Sequence, residues 1–563
     1  MERVRAVAGR LSEQSRTLPR WPVALILIAA LAPSAWVAWR LRTMPQLGTL
    51  VDDATLWVSA RALVAGEGYR LAFLPEKPWQ TKYPPLYPAY LSLVWRINPD
   101  FPSNLPLATL FAWAWMPPFL LLSILALRRL ELTQGEALAL TALLAVNPHL
   151  LYFASGLHTE VPYTVLLLTA LLLLERAGRM GALGPAVLAG VAAGLAFLCR
   201  TNGIALVASG LAGLLLARRL QSAAAYALAA LPAVAGWTWW SWAHKYTGQN
   251  PAVIYHTDYI RFYLETVRWS DLPVLLWGNL GGILIRGGKL IVPTPGESAP
   301  ERIFCIIVAV LALAGVWRLA RRLGPTHYHL YAAGHLLLLL PWNFAANGRL
   351  LFPLAPLLLA GLFVEARHVV TIARQAMLRQ DAPQRAVGVT MLACLAMLGL
   401  VGAWRWSRPL SEHFPQLSER YRDQQSGVAL AYDWIARHTS RDVSFVAWQD
   451  GLLFLKTGRR ASSPALPPLL WYTFRREAIL DQYLSRLAEL ARAQDCHYAL
   501  IDDTQFLVAD RTDLAYARRR LQADPRLREV YANADAAVFE VTKAGPALAA
   551  TPGKHLAMSG QAR

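Results

Sequence analysis

Long apolar runs, separated by short polar or basic segments, make up most of this chain. About eleven of these runs approach the roughly 20 residues that a helix needs to cross about 30 Å of hydrocarbon. The pattern therefore predicts a mainly α-helical, polytopic membrane protein with a transmembrane region over 21–405. The predicted spans are 21–40, 105–127, 137–154, 159–174, 181–198, 203–217, 222–240, 303–317, 328–345, 350–364 and 387–404.

Arginines occupy every second connection between these spans. The basic segment 1–20 begins the series, and the run after it is longer than the roughly 7–15 residues of a signal-peptide core, so we expect it to be a retained first span. Positive residues collect on the cytoplasmic side of a membrane, which predicts a cytoplasmic N-terminus and an extracytoplasmic C-terminus. The later loops carry Arg128, Arg129, Arg176, Arg179, Arg218, Arg219, Arg318, Arg321, Arg322, Arg367, Arg374, Arg379 and Arg385.

The same alternation predicts which connections face outside. Segment 41–104 forms a first outer loop, and segment 241–301 forms a second. Short outer turns are expected near 155–159, 199–202 and 346–349. The second of these turns is very short, but the alternation of the basic loops on either side requires it.

The composition changes after Trp404. From there the chain is more charged and carries short apolar runs at 443–448 and 497–501, which are typical of strands mixed with helices. We expect a small extracytoplasmic α/β domain over 410–543. The last segment, 544–563, has the composition of a disordered tail.

An amphipathic helix is predicted near the start of the first outer loop. Gly66 and Gly68 would end it, since glycine readily adopts positive φ. Asp52 and Asp53 stand at its start, where one carboxylate can cap the helix and the second is left free. Asp52 is the expected cap. The apolar face, which we expect to lie in lipid at the membrane surface, comprises Leu56, Trp57, Ala60, Leu63 and Val64.

A rigid turn follows in the same loop. Lys82 and Tyr83 precede Pro84 and Pro85, and the two prolines favour extended residues before them and a short helix after them. Lys82 is either an interfacial anchor that reaches toward water or a cation that binds a phosphate group.

Four more charged or titratable residues lie at the predicted outer ends of spans: His158, Glu160, Arg200 and Arg349. Each has an ordinary structural explanation as a helix cap, a dipole partner or an interface anchor. Charged residues at membrane depth are nevertheless costly and favour a functional interpretation. The predicted topology gathers all four on the same membrane face as the acidic pair and Lys82. A carboxylate base beside several cations is suited to moving a group off a lipid phosphate.

Composition supports the membrane assignment and narrows the function. Of the 563 residues, 55% are hydrophobic and only 16% charged, and the net charge is +19. The positive charge is spread over many loops instead of forming one patch, which argues against nucleic-acid binding. The cysteines have no zinc-binding or disulfide spacing; they are Cys199, Cys305, Cys394 and Cys496.

No cofactor is indicated with certainty. A divalent metal is possible, because Asp52, Asp53, His158 and Glu160 carry suitable ligand atoms. The sequence shows no glycine-rich phosphate-binding loop, so we expect that the donor is not a nucleotide sugar.

These motifs resemble the GT-C superfamily of multi-pass glycosyltransferases, in particular the bacterial protein O-mannosyltransferase and aminoarabinose–lipid A transferase group (glycosyltransferase family 39-like). The resemblance covers roughly 50–365. It rests on Asp-Asp followed by GEGYR and TKYPPLYP, on HTE at the start of a span, and on LAFLCRTNG and NGRLLFPLAP.

The resemblance implies transfer of a monosaccharide from a polyprenyl-phosphate donor to an acceptor hydroxyl or amine, with inversion, at the outer face of a bacterial inner membrane. The acceptor would be a protein, a lipid or a glycan. The family's acidic base falls on Asp53, with Asp52 as the rival. The family's cationic contacts to the lipid phosphate fall on Lys82, Arg200 and Arg349. Tyr83, His158 and Glu160 are the further candidates for binding the donor.

A sensor or scaffold whose active loop has decayed competes with this hypothesis, and so do two other functions. One is a lipid-sugar transporter or flippase, which would place ionisable residues near the middle of the membrane within repeated halves. The predicted spans here are largely Leu and Ala at mid-depth, and no second half repeats the first. The other is a polymerase or ligase of lipid-linked glycans.

Overall fold

The computed structural model describes residues 20–294, 298–378, 382–408, 411–412, 414–466, 469–504, 507–508 and 510–542. Most of the basic N-terminal segment and the predicted tail 544–563 lie outside these residues. The first half of the chain contains the helices α1 (Arg20–Arg40), α2 (Asp52–Val64), α3 (Leu86–Ile97), α4 (Leu105–Trp113), α5 (Met116–Arg129), α6 (Gln134–Ala145), α7 (Pro148–Ser155), α8 (Glu160–Met180), α9 (Leu183–Cys199), α10 (Ile204–Leu216), α11 (Leu220–Ala243), α12 (Pro251–Thr257) and α13 (Tyr259–Thr266).

The second half continues with α14 (Leu272–Ile291), α15 (Ala299–Leu323), α16 (His327–Leu339), α17 (Gly348–Leu351), α18 (Ala355–Met377), α19 (Ala382–Arg408), α20 (Phe414–His438), α21 (Asp450–Thr457), α22 (Leu470–Thr473), α23 (Arg476–Ala493) and α24 (Arg511–Gln522). Short 3-10 turns cover Thr201–Gly203, Trp269–Asp271 and Phe352–Leu354.

The chain is mainly helical, and several helices suit a bilayer. Among the described residues, seven helical stretches are long and apolar enough to cross a membrane, or eight if the bent pair α6 and α7 forms one span. Two predicted spans form the shorter apolar helices α9 and α10. The multi-pass character is confirmed, whereas the number of eleven spans stays a prediction.

The predicted second outer loop differs from expectation. Segment 241–301 contains three helices, of which α14 is apolar and long enough, together with the 3-10 turn before it, to span a membrane. Pro273 and several glycines lie within this helix. Proline is tolerated in the first helical turn, and apolar neighbours compensate for the low helix propensity of glycine.

The C-terminal region, here 414–542, contains a five-stranded sheet among helices. Its strands are β1 (Ser444–Ala447), β2 (Arg460–Ser462), β3 (Tyr498–Asp502), β4 (Leu527–Ala532) and β5 (Ala536–Val541). The order across the sheet is β2-β1-β3-β5-β4. The pairs β1–β2 and β1–β3 are parallel, and the pairs β3–β5 and β4–β5 are antiparallel. The expected mixture of helices and strands is therefore present; the extracytoplasmic position of this region stays a prediction.

The C-terminal region packs against the first outer loop. The amide of Ala461, in β2, donates to the carbonyl of Phe73 at 2.9 Å. At the start of α21, a Cβ added to Gly451 would lie 3.2 Å from the Cβ of Ala54, in α2. This close approach brings the sheet region to the start of α2, where the acidic pair lies.

Candidate functional site

The backbone turns sharply just before the acidic pair. Val51 has φ 62° and ψ −46°, and the amide of Asp52 donates to the carbonyl of Leu50 at 2.6 Å. This is a γ-turn with positive φ, a rare and strained conformation, above all for a β-branched residue. Such strain costs about 1–3 kcal/mol and recurs at functional sites. Asp52 is the first residue of α2, so the expectation that its side chain caps the helix is wrong.

Asp53 is the carboxylate that binds the backbone. Its Oδ1 accepts from the amide of Ala54 at 2.7 Å and from the amide of Gly48 at 3.1 Å, and its Oδ2 lies 3.2 Å from the latter. The residue is 1% exposed. Burial raises the pKa of Asp53 to about 7, against the opposing effect of the two amides. Asp53 thus joins the loop before α2 to the helix itself.

Asp52 faces the predicted cations instead. Its Oδ2 accepts from Nη1 of Arg349 at 2.9 Å, and its Oδ1 accepts a short hydrogen bond from the hydroxyl of Tyr83. Its side chain is 28% exposed. Burial alone would raise the pKa of Asp52, but the charges of Arg349 and Lys82 and the bond from Tyr83 outweigh it and hold the pKa below its usual value.

Glu160 joins the two outer arginines. Its Oε1 lies 2.6 Å from Nη1 of Arg200 and 2.7 Å from Nε of Arg349. Arg200 also donates to the hydroxyl of Thr159 at 2.8 Å. The Glu160 side chain is 0% exposed and each arginine side chain 17% exposed. A buried carboxylate between two arginines orients both guanidinium groups. Together with Asp52, which binds Arg349, it balances the two positive charges.

The turn that carries Lys82 is firmly held. The amides of Lys82 and Tyr83 both donate to Oε1 of Gln80, at 3.0 and 3.1 Å. The hydroxyl of Thr81 donates to the carbonyl of Thr257 at 2.8 Å. After the turn, α3 begins at Leu86, as predicted.

The ammonium group of Lys82 lies in an aromatic enclosure. Nζ is 4.1 Å from the ring centroids of both Tyr255 and Tyr259, and it donates to the carbonyl of Tyr255 at 2.8 Å. Burial lowers the pKa of Lys82 to about 8, although the charges of Asp52 and Asp450 raise it. Lys82 is therefore still largely charged near neutral pH.

His158 lies behind this cluster. It is 1% exposed and stacks on Tyr152, with 5.1 Å between the ring centroids. Within the part of the chain that the structure describes, neither of its ring nitrogens has a hydrogen-bond partner. Burial lowers the pKa of His158 to about 4, so the ring is neutral at physiological pH.

Six of the eight predicted residues thus form one cluster. The carboxylate of Asp53 binds backbone amides instead, and His158 has no hydrogen bond to the cluster within the described residues. Contacts join Tyr83 to Asp52, Asp52 to Arg349, Arg349 to Glu160, and Glu160 to Arg200. The connection to Lys82 is looser: its Nζ lies 5.2 Å from the ring centroid of Tyr83, and it contacts Tyr259, whose hydroxyl is 3.4 Å from that of Tyr83. These groups come from five separate parts of the chain.

The environment of α2 differs from the prediction. Leu56, Trp57 and Ala60 are buried within protein, not exposed to lipid. The ring of Trp57 lies 4.7 Å from that of Trp95, in α3. Gly66 and Gly68 have positive φ after the end of the helix, as expected.

Two tyrosines near Lys82 were not predicted. Tyr255 and Tyr259 lie in the segment PAVIYHTDY, whose density of polar and aromatic residues was a usable signal. Their neighbour His256 donates from Nε2 to Oδ2 of Asp450 at 2.8 Å. Nothing in the sequence indicates this pairing, since 193 residues separate the two partners.

Three of the four residues proposed as metal ligands, Asp52, Asp53 and Glu160, are engaged otherwise. In the described ranges, no three His, Cys, Asp or Glu side chains gather in a group that could hold a metal ion. Arginines bind the carboxylates of Asp52 and Glu160, and backbone amides bind that of Asp53.

A cavity of about 350 Å³ lies between the loop before α2 and the C-terminal region. Thr49 and Leu47 form one wall, and Tyr421, Gln424 and Gln449 of the C-terminal region contribute to the other. Its lining combines polar side chains with aromatic rings.

Comparison with solved structures identifies the fold. ArnT from Cupriavidus metallidurans bound to undecaprenyl phosphate superposes with a TM-score of 0.51 at 14% sequence identity, covering 94% of this chain and 100% of that one. The apo form of ArnT gives 0.48 at 14% identity, covering 92% and 100%. The arabinosyltransferase EmbB from Mycobacterium smegmatis gives 0.35 at 18% identity, covering 72% and 40%.

The first of these superpositions shows that the chain has the fold of ArnT over nearly its whole length. The predicted resemblance is thereby confirmed as a likeness of fold to ArnT. No family model and no curated protein matches the sequence.

Proposed function

We propose that this chain is a membrane glycosyltransferase that moves a monosaccharide from a polyprenyl-phosphate donor to an acceptor hydroxyl or amine. One observation carries the proposal: in a chain with the fold of ArnT, a partly exposed carboxylate, Asp52, lies beside Arg349 and Tyr83, with Lys82 nearby. These groups supply an acid–base residue and an anion-binding site within one cluster.

Two observations support a polyprenyl-phosphate donor: the cations in the cluster and the ligand of ArnT. ArnT was crystallised with undecaprenyl phosphate. Here Lys82 and Arg349 are the cations placed to bind a phosphate group, and Glu160 holds Arg349 in position. An arginine fork and a lysine point charge are both suited to phosphate oxygens.

We assign the role of base to Asp52 in preference to Asp53. The carboxylate of Asp53 is buried and occupied by two backbone amides, so it has no approach to a substrate. Asp52 is more exposed and belongs to the charged cluster. The family role, which the sequence alone placed first on Asp53, moves by one residue.

The reaction is a single displacement. Asp52 takes the proton of the acceptor hydroxyl, the oxygen attacks the anomeric carbon, and the bond from that carbon to the phosphate oxygen breaks. The polyprenyl phosphate leaves with the bonding electron pair, and the anomeric centre is inverted. Binding of the donor phosphate gives Arg349 a third anion beside Asp52 and Glu160, which weakens its hold on Asp52 and makes the carboxylate a stronger base.

The acceptor is assigned to the cavity beside the start of α2. Gln424, Gln449 and Tyr421 offer hydrogen bonds and an aromatic face, which suit a hydroxyl-rich molecule. We expect this side to face the periplasm, in keeping with the arginine alternation.

The test uses the purified full-length chain in lipid nanodiscs with a panel of polyprenyl-phosphate monosaccharides. Mass spectrometry follows release of the lipid phosphate, with candidate acceptors supplied one class at a time. We expect release from at least one donor by the wild type and at least a 100-fold slower release by Asp52→Asn. Binding of donors without release, by a folded wild-type protein with every acceptor class present, would contradict the proposal and favour a transporter.

A further inference from the structure

A buried contact joins the C-terminal region to the neighbourhood of Lys82. Nε2 of His256, in α12, lies 2.8 Å from Oδ2 of Asp450 and 3.1 Å from the hydroxyl of Ser463. His256 is 1% exposed and Asp450 0% exposed. An ionised carboxylate only accepts hydrogen bonds, so Nε2 carries a proton and donates it. A buried carboxylate without such a partner would be costly, so the packing of this region requires His256 and Asp450 to meet.

The residue before His256, Tyr255, links this contact to Lys82 through its backbone carbonyl. The carbonyl of Tyr255, next to His256, accepts from Nζ of Lys82 at 2.8 Å. The carbonyl of Thr257, on the other side, accepts from the hydroxyl of Thr81 at 2.8 Å. The helix that carries His256 therefore contacts the turn at two points. It binds the side chain of Lys82 directly, and it fixes the backbone before Lys82 through Thr81.

The other end of the contact lies at the start of α21, which is fixed against α2. The amide of Gly451 donates to Oδ1 of Asp450 at 2.7 Å. A Cβ at Gly451 would meet the Cβ of Ala54 at 3.2 Å, so α21 sits directly on the helix that carries Asp52. Asp450 is thus placed by the same packing that positions the base.

We propose that His256 and Asp450 are positioning residues through which the C-terminal region holds Lys82 in place to bind the donor phosphate. The inference rests on the proposed function, because it assumes that Lys82 binds phosphate. It gives the sheet region a part in donor binding, in addition to its place beside the acceptor cavity. Neither residue touches the substrate; both act through the Tyr255 carbonyl.

A double-mutant cycle separates positioning from simple stabilisation. The probe is undecaprenyl phosphate, and its affinity for the purified full-length chain is measured in nanodiscs. The variants are Lys82→Met, Asp450→Asn, His256→Gln and the double variant Lys82→Met/Asp450→Asn. Tyr472→Phe is the control, because the Tyr472 hydroxyl joins the same C-terminal region to Asn279 at 2.9 Å, away from Lys82.

We expect Asp450→Asn and His256→Gln to weaken binding by about 5- to 30-fold, while Tyr472→Phe changes it less than twofold. In the Lys82→Met background, Asp450→Asn should have no further effect, since residues that act through one group are not additive. In a turnover assay, the loss should fall mainly on the donor KM and less on kcat.

The outcomes are distinct. If Lys82→Met binds the probe as the wild type does, the proposed phosphate site itself is wrong. If Lys82→Met weakens binding but neither Asp450→Asn nor His256→Gln does, the positioning role is wrong. An equal effect of Asp450→Asn in both backgrounds would show a structural role only and would also overturn the inference. Should Asp450→Asn fail to fold, Ser463→Ala and His256→Gln carry the same cycle.

Discussion

Two adjacent carboxylates at the start of α2 have opposite surroundings. Asp53 binds the amides of Gly48 and Ala54 and is closed to solvent, whereas Asp52 binds Arg349 and Tyr83 and is partly open. The strained turn at Val51 directs the first carboxylate to the charged cluster and the second to the backbone. Two adjacent positions in the sequence therefore differ in role: Asp53 holds the backbone, and Asp52 belongs to the charged cluster.

Asparagine at each position should separate these roles. We expect Asp52→Asn to lower lipid-phosphate release by about 10²–10⁴-fold with little change in the melting temperature. Asp53→Asn replaces an acceptor oxygen by an amide group that faces the donor of Gly48. Its cost should be about 1–3 kcal/mol of stability, with release reduced less than tenfold. Release assays and thermal unfolding of both variants check this, and the reverse result would return the base to Asp53.

The raised pKa of Asp53 also predicts a pH dependence of stability. Between its ordinary pKa of about 4 and its folded value of about 7, the folded state holds a proton that the unfolded state has lost. The contribution is complete below pH 4 and disappears as the pH rises to 7, because stability falls with pH wherever the folded state binds more protons. Asp503, whose pKa burial also raises to about 7, adds a similar slope.

Comparison with Asp53→Asn isolates the effect of one group. Melting temperatures of the wild type should fall more steeply from pH 4.5 to 7.5 than those of the variant, and the curves should run parallel above about pH 8. Identical slopes for the two proteins throughout that range would show that Asp53 does not titrate there.

Glu160 should be needed for the whole cluster. Its buried Oε1 accepts from both Arg200 and Arg349, so Glu160→Gln leaves Arg200 without this carboxylate and Arg349 with Asp52 as its remaining anionic partner. Loss of one partner from a buried ionic cluster costs about 3–5 kcal/mol. We expect a marked fall in melting temperature and loss of lipid-phosphate release.

The control for Glu160→Gln is Arg318→Gln. It removes the pair between Arg318 and Glu365, whose arginine side chain is 40% exposed. A partly exposed pair contributes about 0–1 kcal/mol, so this variant should stay close to the wild type in both assays. Equal effects of the two variants would contradict the special position of Glu160.

At the scale of elements, the sequence predicted where helices form better than it predicted what packs against each helix. The periodicity of α2 and the Pro-Pro turn before α3 gave both helices and their ends. The same periodicity shows only that one face of α2 is apolar. Protein covers that face at Trp57, where lipid was expected. The environment of α12 was missed for a related reason: its polar residues have partners 170 or more residues away in the sequence, such as Lys82 for Tyr255.

The helix α14 poses a question about topology. Asn279 donates to the carbonyls of Leu340 and Trp342, just beyond the end of α16. Further along α14, a Cβ at Gly288 would meet the carbonyl of Cys305, near the start of α15. The arginine alternation puts both of those helix ends on the outer side. We therefore expect α14 to lie along the membrane surface and not to cross it.

Cysteine labelling decides this point. In a variant without the native cysteines, Ser270→Cys and Ala299→Cys flank α14, and both positions are exposed. A membrane-impermeant maleimide added from the periplasmic side should label both. Labelling of the first alone would show that α14 spans the membrane and that the helices after it are reversed.

At the scale of the whole molecule, charge proved more informative than residue spacing. The alternation of arginines between apolar runs placed Asp53, Lys82, His158, Glu160, Arg200 and Arg349 on one membrane face. The structure joins Glu160 to both arginines, with Asp52 in the place expected for Asp53. The alternation carried no distances, so it could not tell which carboxylate meets Arg349. The docking of the C-terminal region had no sequence signal, because it depends on the shape of two surfaces and on a single glycine.

That glycine, Gly451, tests whether the docking matters for function. A valine there would place its branched side chain against the Cβ of Ala54 and the amide of Thr55, which lie 3.2 and 3.5 Å from the position of its Cβ. Overpacking of this kind costs about 1–3 kcal/mol and should push α21 away from α2. We expect Gly451→Val to lower lipid-phosphate release more than tenfold and to speed hydrogen exchange in α2 and α21. Gly236→Val, also within a helix but with nothing within 4 Å of its Cβ position, is the matched control and should exchange and react as the wild type does. Normal release by Gly451→Val with faster exchange in α21 alone would mean that the sheet region covers the site without supporting its chemistry.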